Sequence, residues 1–253
     1  IVGAAAALIV IAATSTLGGV MYIGTHAAPA FLICWKAALS RSDVDDTGAK
    51  TLFWYPPGHL AAWFAVAPIA MLVLAFMYGT ANGDGFREMV ASHMEPLLQV
   101  IRSAPGETLP GLKTPPTSDQ LAIIEDLIVY FVPVTIALVG MVTSLMNALL
   151  AQGVLTRLGH NLRPSPRMSE IELPLWLIAS LAFCLLVYFL VGGDVGFVAI
   201  TAAGILAFPV FLSGLAVAHA LAERTGSPFA ILFMTYAMLV IAGYVMMVLM
   251  TVV

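Results

Sequence analysis

The chain has 253 residues, 61% of them hydrophobic and 9% charged, with a mean hydropathy of +1.00. That much apolar surface exceeds what a water-soluble fold hides, so the soluble globular classes are excluded. The formal charge is −4 and the basic residues are dispersed, which excludes a nucleic-acid surface.

The working unit is a span of about 20 apolar residues, enough to cross about 30 Å of hydrocarbon. The first apolar run, 1–17, meets Gly18-Gly19 and continues as 20–39, so the two form a hairpin of spans turning at the glycines. The chain opens in mid-hydrophobic sequence at Ile1 without an initiator Met or a signal-peptide pattern. The expectation is that one or more native N-terminal helices precede it. A polar stretch, 40–58, carries Arg41, Asp43, Asp45, Asp46 and Lys50 and ends in Phe53-Trp54-Tyr55-Pro56-Pro57-Gly58. Trp54 and Tyr55 are the aromatic anchors expected at a membrane interface. The third span is 59–78, with Pro68 inside it.

Residues 79–119 form the longest polar segment. Within it, Phe86, Met89, Val90, Met94, Leu97 and Ile101 oppose Arg87, Glu88, Ser92, Glu95 and Gln99. This spacing predicts an amphipathic helix over 86–102, lying on the membrane face or on neighbouring helices and kinked at Pro96. Pro105, Pro110, Pro115 and Pro116 make the remainder an irregular loop. The fourth span, 120–150, belongs to an apolar stretch running to Leu158. As one helix that stretch would be nearly twice as long as the hydrocarbon is thick, so it either projects from the bilayer or breaks near Pro133 or Gly140. Spans 173–191 and 195–221 are joined by Gly192-Gly193-Asp194, and the seventh, 228–253, opens on Pro228.

The fold class that follows is an all-α integral membrane protein: a polytopic bundle of about seven transmembrane helices plus an amphipathic interfacial helix, forming a single transmembrane domain over 1–253. Basic residues gather in alternate connections, Lys36, Arg41 and Lys50, then Arg157, Arg163 and Arg167, then Arg224. The positive-inside rule places loops 40–58, 151–172 and 222–227 in the cytoplasm and loop 79–119 and the C-terminus opposite, in a bacterial inner membrane. Arg157 and Arg163 join Trp54 and Tyr55 as interface anchors. In 195–221 small residues recur every four positions, as Ala199, Ala203 and Ala207 and again as Gly214, Ala218 and Ala222. That is a close-packing face, which makes this helix central.

Polar residues within spans must be satisfied there and are candidates for function. Asn147 with Thr143 and Ser144 either bonds a neighbouring helix or lines a cavity. His219 with Glu223 four residues later is a second candidate for ligand binding, and His26 with Thr25 a weaker pair. Glu125 and Asp126 suit a helix N-terminus, and Asp194 suits a turn and the N-cap of its own helix. Cys34 and Cys184 lie in apolar runs as small hydrophobes. No ligand spacing predicts a metal, no pattern predicts a cofactor, and none of the ATP-binding or common hydrolase motifs occurs. A retinal protein is excluded because 228–253 contains no lysine.

Three stretches carry a resemblance: Trp54-Tyr55-Pro56-Pro57-Gly58 leading to Trp63; Asn147 through Arg157 to Leu162-Arg163-Pro164; and Gly214-Leu215-Ala216-Val217-Ala218-His219-Ala220. Together they resemble the proteobacterial branch of the YybS-like predicted membrane proteins, DUF2232, over the whole chain. That family is distantly similar to the substrate-binding S components of energy-coupling-factor transporters. The resemblance implies a helical bundle that binds a small molecule from outside and docks on an energising ATPase module. No S-component ligand motif maps onto this chain, and the 79–119 insertion departs from a compact S component. The functional expectation is a non-enzymatic small-solute binding or transport-related component in the lipid bilayer. Its rivals are an accessory or scaffold subunit, docking other membrane subunits through 86–102, and an enzyme on lipid-linked substrates using His219 and Glu223.

Overall fold

A computed structural model describes residues 22–44, 50–83, 85–103, 118–168 and 171–243, together with Ile11 and Gly19. The expected span 1–17, the Gly18-Gly19 hairpin, Asp45 and Asp46, the proline-rich 104–117 and the end of the last span lie outside the described residues.

A π-helical turn, Ile23–Ala27, runs into helix α1 (Ala28–Ala37). The 40–58 stretch is more ordered than expected, because Ser40–Val44 (β1) and Lys50–Trp54 (β2) pair as an antiparallel hairpin with Arg41 opposite Phe53. Helix α2 (Pro57–Trp63) starts on Pro57, which has no N–H to leave unsatisfied in the first turn.

The third span is two helices, α2 and α3 (Val66–Asn82), with the interruption ahead of Pro68. Pro68 cannot donate to the Phe64 carbonyl, and its ring would collide with it. The chain therefore tightens at Phe64 and Ala65, whose N–H groups donate to Ala61 and Ala62. Helix α4 (Phe86–Ser103) is the amphipathic helix and continues through Pro96. It packs on α3 and its successors rather than lying apart. Phe86 and Leu98 are its buried residues, whereas Leu97 of the expected stripe is exposed.

Helix α5 (Ser118–Arg157) is unbroken for 40 residues, or roughly 60 Å. The choice between projecting and breaking at Pro133 or Gly140 thus falls to projection. Helix α6 (Leu175–Val191), α7 (Gly193–Glu223) and α8 (Pro228–Ala242) complete the bundle. Three segments are long and apolar enough to cross a membrane: Pro57–Asn82, Leu121–Arg157 and Gly193–Glu223. The two-stranded hairpin apart, the described elements are helical, and the architecture is an α-helical membrane bundle.

Helix α7 is its centre, touching α2, α3, α4, α5, α6 and α8. Ala199, Ala203, Gly214 and Ala222 of the small-residue face are buried, where their size lets neighbouring backbones approach. Its buried Thr201 hydroxyl is satisfied internally by the Phe197 carbonyl at 2.8 Å. The connections sort to two ends. At one end, a side chain on Gly58 at the start of α2, just after the hairpin, would strike the backbone of Glu172, so Glu172 sits against the start of α2. At the other end lie the start of α4, the start of α5 and the α6–α7 turn.

Candidate functional site

The second of these ends carries a network of paired charges. Asp194 is not the N-cap of its own helix, where Gly192 stands and no side chain caps. Its carboxylate instead accepts the backbone N–H of Phe86 at 2.8 Å and of Arg87 at 3.1 Å, capping α4 across 108 and 107 residues of sequence. An acid there satisfies otherwise orphaned donors and meets the positive end of the helix dipole. Gly85, just ahead of α4, has φ +73°, and a Cβ on it would occupy the place of the Asp194 carboxylate. Glycine meets both demands at once.

From this cap, both ends of α4 reach the same short stretch of α5. Arg87 Nη2 donates to Asp126 Oδ1 at 2.8 Å, and its guanidinium carbon lies 5.3 Å from the Tyr130 ring centre. Fifteen residues on, Arg102 forms a fork on Glu125, Nε to Oε1 at 2.6 Å and Nη2 to Oε2 at 2.9 Å, while its Nη1 meets Glu95 at 2.9 Å. The hydrogen-bonded Glu125 holds the Arg102 guanidinium above its ordinary value. Beneath the ion pairs, Phe197 of α7 takes the Phe86 ring at 5.5 Å and the Tyr130 ring edge-on at 5.1 Å. Glu125 and Asp126 are therefore clasp partners of α4 rather than simple helix-end charges. Exposed pairs of this kind contribute little singly and are screened by salt.

Between α4, α5 and the start of α7 these residues line an open cleft of about 810 Å³. Glu88, Glu95, Glu125, Asp126 and Asp194 supply five carboxylates against the guanidiniums of Arg87 and Arg102. Such a lining can orient a charged or hydrogen-bonding molecule at the end of the bundle.

The ligand-binding candidates read from the sequence lie elsewhere. Thr143 and Asn147 are exposed on α5 and Ser144 is half-buried, and none of the three lines this cleft. His219 Nδ1 donates to the Leu215 carbonyl at 2.9 Å, its ring edge-on to Tyr236, and Glu223 is exposed at the end of α7. His26 Nδ1 meets Thr25 Oγ1 at 2.6 Å and stacks on Tyr22. Among the described residues no His, Cys, Asp and Glu cluster is arranged to hold a metal.

The aromatic anchors form a unit of their own. Trp63 Nε1 donates to Tyr55 Oη at 2.9 Å, and the Lys36 ammonium sits 4.3, 4.7 and 5.5 Å from the ring centres of Trp63, Trp35 and Tyr55. Trp54 closes the hairpin opposite Ser40, and Arg157 ends α5 exposed.

The clasp had one legible signal: Glu95 and Arg102 are seven residues apart, on one face of a helix. Its other partners come from distant segments. No curated protein and no solved structure matches the chain. The family described as predicted membrane protein (DUF2232) matches residues 1–253, and the chain belongs to it.

Proposed function

We propose that the protein is a non-enzymatic membrane component that binds a small polar solute, as part of its transport, in the cleft between α4, α5 and the start of α7. The observation that carries this reading is the cleft of about 810 Å³ with its charged lining. Five carboxylates against two guanidiniums favour a solute bearing a positive charge. Helix α4 forms one wall, and the ion pairs that hold it are exposed, so ligand and clasp share the same groups. By the positive-inside rule this end faces away from the cytoplasm and the hairpin end faces it. The His219 bond to its own helix supports a structural role for that residue rather than a catalytic one.

The test is thermal unfolding of the detergent-purified protein against panels of small organic cations and anions. The expected result is a raised Tm with a subset of cations, diminished in Glu88→Gln. If neither panel moves the Tm, the solute-binding reading fails.

A second reading has its own observation. Helix α5 keeps apolar side chains exposed from Ile123 to Leu155, and at roughly 60 Å the helix exceeds the hydrocarbon thickness even when tilted. The excess suits a docking subunit. A stoichiometric partner retained after extraction in mild detergent supports that role, and a monodisperse monomer counts against it.

A further inference from the structure

At the opposite end from the cleft, the connection after α5 folds back on the helix it leaves. His160 N–H donates to the Leu155 carbonyl at 2.9 Å, closing the last turn. Gln152 Nε2 then donates to the Arg163 carbonyl at 2.9 Å, and Asn161 Nδ2 to the same oxygen at 3.3 Å. Ser165 Oγ lies 3.4 Å from Gln152 Nε2 and 3.5 Å from Thr156 Oγ1. The backbone of Arg163 is thus held against the end of α5, and Pro164 and Pro166 on its far side restrict it further.

The side chain is less well provided for. Arg163 is half-buried, and its Nη1 has neither solvent contact nor a hydrogen-bond partner among the described residues. Burial pushes the guanidinium below its ordinary value. From Leu127 to Met168 the sequence has no Asp or Glu, the next acids being Glu170 and Glu172, yet it places Arg157, His160, Arg163 and Arg167 there. A buried charged donor without a counter-group is costly, so such groups occur where an anion or acceptor completes them.

We propose that Arg163 is the centre of a phosphate-binding site at this end of the bundle. The planar guanidinium fork matches two phosphate oxygens, which a point charge does not. The connection leads from the membrane-crossing α5 to the apolar helix α6, and on this proposal it lies at headgroup depth, where the phosphate of an anionic phospholipid is at hand. A free phosphate group offers the same oxygens. The exposed Arg157 and Arg167, six and four residues away in the sequence, add positive charge to this end without being needed for the fork. This site shares no residue with the α4 cleft and does not depend on it.

The experiment uses the full chain, stripped of lipid in mild detergent. Thermal unfolding is followed during titration with phosphatidylglycerol, with a phosphate-free galactolipid and with inorganic phosphate. Phosphatidylglycerol is expected to raise the Tm and the galactolipid to leave it unmoved. Arg163→Gln should need about tenfold more phosphatidylglycerol for the same shift, while Arg224→Gln at the end of α7 responds as the wild type. Inorganic phosphate matching phosphatidylglycerol keeps the phosphate site and assigns it to a free ligand. An Arg163→Gln response equal to wild type, a galactolipid as effective as phosphatidylglycerol, or no shift with any probe overturns the proposal. Should Arg163→Gln not fold, Arg163→Lys is read the same way: it retains the charge and loses the fork, and an undiminished response refutes the site.

Discussion

Helices α5 and α7 are the two longest among the described residues, at 40 and 31 residues, and both are apolar enough to cross a membrane. In the fold they are opposites. Fifteen residues of α7 are buried, whereas Val129 and Met141 are the buried hydrophobic residues described on α5. Hydropathy does not separate them, since lipid and protein interior are equally apolar surroundings. Side-chain size does: alanine and glycine at four-residue spacing let helices approach α7, while α5 carries larger branched side chains outward.

The sharpest way to break this comparison is to enlarge the small face. Ala203→Leu, at a position 3% exposed, should lower unfolding stability in detergent by up to about 3 kcal/mol; a change below about 0.5 kcal/mol, the surface level, would remove α7 from the centre. Next comes the reverse operation on α5. Met141→Ala, at 1% exposure, is expected to cost about 2 kcal/mol, the low end for such truncations, because lipid already solvates the separated helices. Val139→Ala, at 61% exposure, should stay within about 0.5 kcal/mol. Similar losses at both positions would mean that α5 is as enclosed as α7.

The two helices are also joined at one end through α4, and smaller effects are expected there. Asp194→Ala removes the cap that α7 gives to α4 and should cost about 1 kcal/mol, seen as faster amide exchange at Phe86 and Arg87. Unchanged exchange would show that the aromatic contacts to Phe197 hold α4 unaided. The smallest change is expected for Arg102→Gln. Exchange along the second half of α4 should rise slightly, and the wild type should approach the variant at about 1 M salt, where the screening length falls to about 3 Å and exposed ion pairs are weakened. A difference that persists in salt would mean that packing of the Arg102 stem, not its charge, fastens α4.

The membrane class, the amphipathic character of α4 and the central place of α7 were legible in the sequence. Each rests on a local signal: hydropathy over a span, a 3.6-residue stripe, a four-residue repeat of small side chains. Pro68 was legible as a disturbance but displaced in effect, because the bond that proline removes belongs to the carbonyl four residues earlier. Leu98 was overlooked beside Leu97 because adjacent helical positions differ by about 100° in direction, and which of the two faces inward depends on the neighbours. The hairpin was hidden since Ser40–Val44 and Lys50–Trp54 have no common apolar face to announce a strand.

The candidate site was the least legible part. Intramembrane polar residues such as Asn147 and His219 drew attention by their cost in lipid, yet the clasp is built from charges at helix ends that appeared adequately explained by solvent. By itself the sequence determined that this chain is a bundle of membrane helices packed about a small-residue helix, because those properties depend on composition and on neighbours within a few turns. Only the tertiary structure decided that Asp194 caps α4, that Arg87 and Arg102 take Asp126 and Glu125, and that Arg163 holds a buried, unmet donor. A carboxylate or guanidinium carries no mark of its partner, and the choice is made when helices distant in sequence pack side by side.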